Sequence, residues 1–147
     1  MHLIDDFMKK AIITIDAETS VFEAVREMKN KNVGSLLVSD GDGVIGILTR
    51  RDVLWRVVLE RLDPVKTLVK DVMSTPVITV KPGIPLADAV QTMKTYDIKH
   101  LPVVSDGNAY GIITTVDIAF AIPKILADGD EVATISNLLH EWVSPYQ

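Results

Sequence analysis

Apolar positions in this chain fall into short blocks, and the order of the blocks repeats. Residues 11–15 form a β-branched run with the composition of a strand. Val21, Val25 and Met28 then recur at helical spacing, behind a Ser20/Glu23 pair spaced as a capping box. Val33 and residues 36–38 predict the next strand. Asp40-Gly41-Asp42-Gly43 predicts a tight turn, and residues 44–48 the returning strand. A helix is expected from Thr49 to about Arg61, where Asp63-Pro64 stops it. The plan then starts again. Residues 77–80 read as a strand, Pro85 as a first-turn proline, and Leu86, Val90 and Met93 as the apolar face of a helix. Residues 98–104 and 109–113 form a hairpin about Asp106-Gly107-Asn108. Thr114 opens a last helix, which Pro123 should interrupt or kink.

The recurrence extends to identical residues. Gly46-Ile47-Leu48-Thr49-Arg50-Arg51-Asp52 returns 65 residues later as Gly111-Ile112-Ile113-Thr114-Thr115-Val116-Asp117. At the same period Asp6 matches Asp71, Met8 matches Met73, Met28 matches Met93, and Leu36 matches Leu101. The chain is a duplicated β-α-β-β-α unit of the α+β class. Two copies are too few for a solenoid, so a pseudo-symmetric pair is expected. The period sets copy one at residues 1–62 with its N-terminal segment, a linker at 63–70, and copy two at 71–122. Residues 123–147 form a C-terminal extension, whose stretch 130–142 reads as an amphipathic helix through Val132, Ile135, Leu138, Leu139 and Trp142.

Composition narrows the classes. At 147 residues and 48% hydrophobic content, the chain has material for one compact core or two small ones. It has no cysteine, which excludes disulfides, thiolate metal sites and a cysteine nucleophile. No apolar run approaches the roughly 20 residues that span a bilayer, and the first residues lack a signal-peptide pattern. A cytoplasmic protein is expected. The net charge of −5 disfavours broad nucleic-acid binding.

A strand–helix–hairpin–helix unit closed by Gly-apolar-apolar-Thr-x-x-Asp resembles the CBS domain, named after cystathionine β-synthase. Two in tandem, in register over residues 6–120 and with a Leu101-Pro102-Val103 strand, resemble the CBS pair or Bateman module. Each Thr-x-x-Asp tetrad has two readings. As structure, Thr is an N-cap and the acid at the third helical position completes a capping box. As function, the carboxylate accepts hydrogen bonds from two ribose hydroxyls, and the Thr hydroxyl with the helix N-terminus meets a phosphate. The resemblance implies the second use, with adenosine-type ligands in two clefts.

Carried over by position, the cleft of Thr114 and Asp117 takes Lys9, Ala11, Ile13, Val33 and Gly34 around the adenine, and Lys99 and His100 toward phosphates. The mirror cleft takes Thr49, Arg51, Asp52, Ser74, Ile78 and Ile98. Gly34 and Ser35 stand in copy one where copy two has Lys99 and His100, so the Asp117 cleft is expected to be the stronger phosphate site. Arg50 and Arg51 are the possible compensation, since Thr115 and Val116 replace them in copy two. The expected function is a non-catalytic regulatory module that senses AMP, ADP, ATP or S-adenosylmethionine, acting as a homodimer on an unidentified protein target. A ligand-free dimerisation or interaction module is the alternative, and a nucleic-acid binder a weaker one.

Other signals fail on context. Gly41-x-Gly43-x-x-Gly46 has the dinucleotide fingerprint, but it makes a turn and enters a strand instead of opening a helix. Asp40 and Asp42 begin an EF-hand spacing, yet Val44 and Arg51 fall where oxygen ligands belong. His2, His100 and His140 have no metal-ligand spacing, and nothing pairs a nucleophile with a base.

Overall fold

A computed structural model of the chain describes residues 2–128 and residue 137. The chain divides into two compact units. One holds residues 12–77, and the other holds residues 2–11 with residues 78–128. The amphipathic stretch expected over 130–142 lies outside the described residues except for Asn137, which is helical and exposed.

The unit of residues 12–77 contains β1 (Thr14–Asp16), α1 (Val21–Lys31), β2 (Ser35–Ser39) and β3 (Val44–Thr49). It continues with α2 (Arg50–Val53), a π-helical turn at Leu54–Val58, and α3 (Val69–Val72). β1 runs parallel to β2, and β2 pairs antiparallel with β3. Ser20 caps α1, its hydroxyl oxygen accepting from Glu23 N–H at 3.2 Å. Asn32 ends the helix in the left-handed region, its N–H returning to Lys29 and Met28 carbonyls. Leu36, Val38 and Leu48 from the sheet meet Val21, Ala24 and Met28 of α1 in the core. Ser20→Ala should remove the cap and lower stability by about 1 kcal/mol, measured by urea unfolding.

In the second unit a single turn, Ile4–Asp6, precedes α4 (Leu86–Tyr96), β4 (His100–Ser105), β5 (Asn108–Thr114) and α5 (Thr115–Asp128). Asp97 repeats the left-handed cap of Asn32. Asp106 and Gly107 both take positive φ, which is what a two-residue hairpin turn requires. The expected strand over 77–80 reduces to one bridge, Val80 with Val103. Copy one lengthens its parallel ladder by donating Ala17 N–H to Ser39 at 2.8 Å. The matching position in copy two is Pro82, which has no N–H to give.

The period places residues 2–11 ahead of copy one, but they fold with copy two. Ile4 is fully buried among Leu86, Met93 and Leu101, and Leu86 N–H donates to the His2 carbonyl at 2.7 Å. Residues 63–70, read as a linker, include the fully buried Val69. In both units an arm pairs with the last strand through reciprocal backbone bonds. Lys9 bonds Ile112 in one and Ser74 bonds Ile47 in the other, all at 2.8–3.1 Å. Gly46 and Gly111 permit this approach. A Cβ at Gly46 would stand 3.0 Å from the Ser74 carbonyl, and one at Gly111 would stand 2.8 Å from the Lys9 carbonyl.

The closing helices differ between copies. α5 runs unbroken through Pro123 to Asp128, against the expected interruption, and buries Asp117, Ile118, Ala121 and Ile125. A straight α-helix in copy one would put Arg56 and Glu60 at the positions of Ala121 and Ile125. The chain avoids burying those charges by inserting a π turn, with Leu59 N–H reaching Leu54 and Leu62 N–H reaching Val57. The buried phase slips by one residue, so Val57 faces the core and Arg56 comes to the surface. The continuous helix expected to Arg61 is therefore α-helical only to Val53.

Candidate functional site

Both tetrads form capping boxes, so the structural reading of Thr-x-x-Asp holds in each unit. At the start of α5 the Thr114 N–H donates to Asp117 Oδ2 at 2.8 Å, and the Thr114 hydroxyl to the same oxygen at 3.0 Å. Asp117 N–H returns to Thr114 Oγ1 at 3.3 Å. Thr49 and Asp52 repeat the set at 2.9, 3.2 and 3.4 Å. Both carboxylates are buried, and each spends one oxygen on its own helix. An ionised carboxylate has roughly four lone-pair sites, so the second oxygen decides what else each can hold.

Those second oxygens have different neighbours. Asp117 Oδ1 has the Lys9 ammonium at 3.8 Å, an ion-pair distance too long for a hydrogen bond, and Lys9 is largely exposed. Asp52 Oδ1 accepts the Ser74 hydroxyl at 2.8 Å and lies 3.9 Å from Arg56 Nε. Ser74 occupies in its unit the place of Lys9, so one exchange at a repeated position changes the chemistry of the site. Arg56 Nη1 also donates to the Val72 and Met73 carbonyls at 3.2 and 2.9 Å.

The predicted residues divide between the units. Lys9, Lys99, His100, Thr114 and Asp117 come together in one: His100 pairs with Thr114 across β4 and β5, and Thr115 N–H donates to the Lys99 carbonyl. Ala11 ends the arm of that unit and is exposed. Ile13, Val33 and Gly34 belong to the other unit, where Ile13 and Val33 pack on its core. Val33 there lines a cavity of about 390 Å³ with Val25, Met28, Asn32 and Val53. Thr49, Asp52 and Ser74 come together in the same unit. Arg51 does not join them, since its guanidinium lies 5.2 Å from the Trp55 ring. Ile78 and Ile98 belong to the unit of copy two and pack on its core. Arg56 was not among the predicted residues. Its signal is the i,i+4 spacing from Asp52 on one helix. Among the described residues no cluster of His, Asp or Glu suits a metal ion.

Two repeated α+β units, each ending in a Gly-gated strand and a Thr/Asp-capped helix, define a tandem module. The CBS-domain family model matches residues 4–58 and 69–124, and the chain belongs to that family. It is 34% identical to the CBS domain-containing protein YhcV of Bacillus subtilis over 93% of this chain and 97% of that protein. Several other curated relatives are longer, and the chain spans 66% or less of their length. An uncharacterized conserved protein from Pyrococcus horikoshii shares the structure at a TM-score of 0.76 and 32% identity, over 81% of this chain and 90% of that one. The CBS domain pair of protein MJ0100, solved with 5′-methylthioadenosine and S-adenosyl-L-methionine, matches at 0.75 and 25% identity, over 84% and 98%. No helix among the described residues is long and apolar enough to cross a membrane.

Proposed function

We propose that the protein is a non-catalytic regulatory module that binds an adenosine-containing ligand at Asp117. The observation that carries this reading is the carboxylate oxygen of Asp117, which the helix cap leaves open beside the Lys9 ammonium. That oxygen accepts the ribose hydroxyls. Lys9, Lys99, His100 and the N-terminus of α5 meet the phosphates of a nucleotide ligand. The adenosyl ligands of the MJ0100 domain pair support the class. AMP, ADP, ATP and S-adenosylmethionine share the groups that Asp117 would grip. Regulation requires that the ligand bind two states of the module with different affinity, and a protein target reads the difference. Calorimetric titration with the four compounds should give one strong site per chain for at least one of them. No heat with any of the four ends the proposal.

A ligand-free interaction module is the second reading, and the exposed Leu54, Trp55, Val58 and Leu59 favour it. This apolar surface is where we place a second copy or the target. Thermal unfolding separates the readings, because saturating ligand raises the midpoint of a sensor and leaves a bare scaffold unchanged.

A further inference from the structure

We infer that the Asp52 site is closed by the chain itself, with the Ser74 hydroxyl supplying the hydrogen bond that a ligand brings to Asp117 and Arg56 a positive charge at ion-pair distance. The inference deepens the proposed function and rests on it, since it takes Asp117 as the open counterpart.

The two tetrads share their Thr, their Asp and the same cap bonds, so the carboxylates themselves differ in what surrounds the free oxygen. At Asp52 that oxygen already accepts a hydroxyl proton from Ser74 at 2.8 Å and faces the Arg56 guanidinium at 3.9 Å. A diol arriving there would have to displace a made hydrogen bond and lie against a fixed cation. Arg56 is held in place by two carbonyls, Val72 and Met73, which its Nη1 bonds. A guanidinium presents its donors in a rigid fork and does not lose its charge, so the half-exposed Arg56, tied to two carbonyls, keeps a cation at ion-pair distance from the carboxylate.

The π turn makes this arrangement possible. In copy two the position matching Arg56 is Ala121, fully buried on the core face of α5. An arginine at that phase would be inside the core. The one-residue slip at Leu54–Val58 carries residue 56 off the core face, and its side chain returns to Asp52 and the 72–73 carbonyls. Among the described residues nothing equivalent is built at Asp117. Ala121 cannot reach the carboxylate, and Lys9, at the place of Ser74, stands 3.8 Å from Asp117 Oδ1 without the hydroxyl hydrogen bond that occupies Asp52 Oδ1. The helix irregularity and the Ser/Lys exchange thus act on one oxygen from two sides. Together they set the stoichiometry of the chain at one ligand.

The test uses AMP and the double variant Arg56→Met/Ser74→Ala, which keeps an unbranched apolar stem at 56 and removes the guanidinium and the hydroxyl. Calorimetry should show one AMP per wild-type chain and two per variant chain, the second lost again on adding Asp52→Ala. A variant that melts like the wild type and still takes one AMP, dependent on Asp117, overturns the closure. Should the variant fail to fold, carboxyl ¹³C shifts of the wild type under saturating AMP decide: Asp117 should move and Asp52 stay. Equal movement at both overturns the inference. A wild type that binds no AMP beside a variant that binds one at Asp52 keeps the closure and removes the Asp117 reading. No binding by either removes both.

Discussion

Asp117→Ala should weaken binding of the adenosyl ligand by about one to two orders of magnitude, because hydrogen bonds to a charged group contribute roughly 1.5–3 kcal/mol and each 1.4 kcal/mol is tenfold. The same substitution removes the acceptor for the Thr114 N–H and hydroxyl, so it also unmakes the cap of α5. That loss costs about 0.5–2 kcal/mol of stability. A drop in affinity alone would therefore not separate contact from fold. The duplicated chain provides the control. Asp52→Ala unmakes the same cap in the other unit. If Asp117 touches ligand, both variants lose cap stability in urea unfolding, Asp52→Ala losing more because it also gives up the Ser74 hydrogen bond, but only Asp117→Ala loses affinity in calorimetry. An Asp117→Ala chain that binds the ligand as well as the wild type would leave the acid as a cap and nothing more.

The copies also show what a sequence of this kind reveals. The β-α-β-β-α order, the hairpin turns and the Thr/Asp helix starts were legible because each rests on local chemistry: apolar period, Gly and Asp in turns, and a hydroxyl three places before an acid. Membership of residues 2–11 in the unit of copy two was not legible. It depends on Ile4 filling a core built some 80 residues later and on Gly111 admitting Lys9, and period alone carries no such information. The π turn was readable in principle. Aligning the copies puts Arg56 and Glu60 onto Ala121 and Ile125, a conflict that a straight helix cannot resolve without burying charge. Pro123 misled in the other direction. It promised an interruption or a kink, and α5 is not interrupted, since Ile118, Ala121 and Ile125 keep one buried face on both sides of the proline. At the site, sequence supplied the acids and the difference between copies at Lys99 and His100. It passed over the exchange of Lys9 for Ser74, on which the proposed closure of the Asp52 site rests, because both positions precede their strands in arms whose partners only the fold defines.

Gly111→Val should destabilise the protein by about 3 kcal/mol, near the upper end of the usual effect of overpacking. Even the first carbon of the new side chain would lie 2.6 Å from Met8 Sδ and 2.8 Å from the Lys9 carbonyl. The thioether can swing aside, as flexible methionines do. The carbonyl cannot, because it accepts from Ile112 N–H at 2.9 Å while Lys9 N–H donates back across the same bridge. Relief requires the arm to leave β5, which gives up both bonds and draws Ile4 toward solvent. Gly41→Val is the useful comparison. Its φ of +100° makes a side chain strained, but nothing lies within 4 Å of the new Cβ. It should cost less and leave the site untouched. Displacing the arm at Gly111 also moves Lys9 from Asp117, so affinity for AMP should fall together with the urea midpoint. Gly46→Val presses instead on Ser74 and should lower stability without weakening AMP binding. A Gly111→Val chain that unfolds at the wild-type midpoint would show that the arm yields freely, and Lys9 would then lose its place in the site.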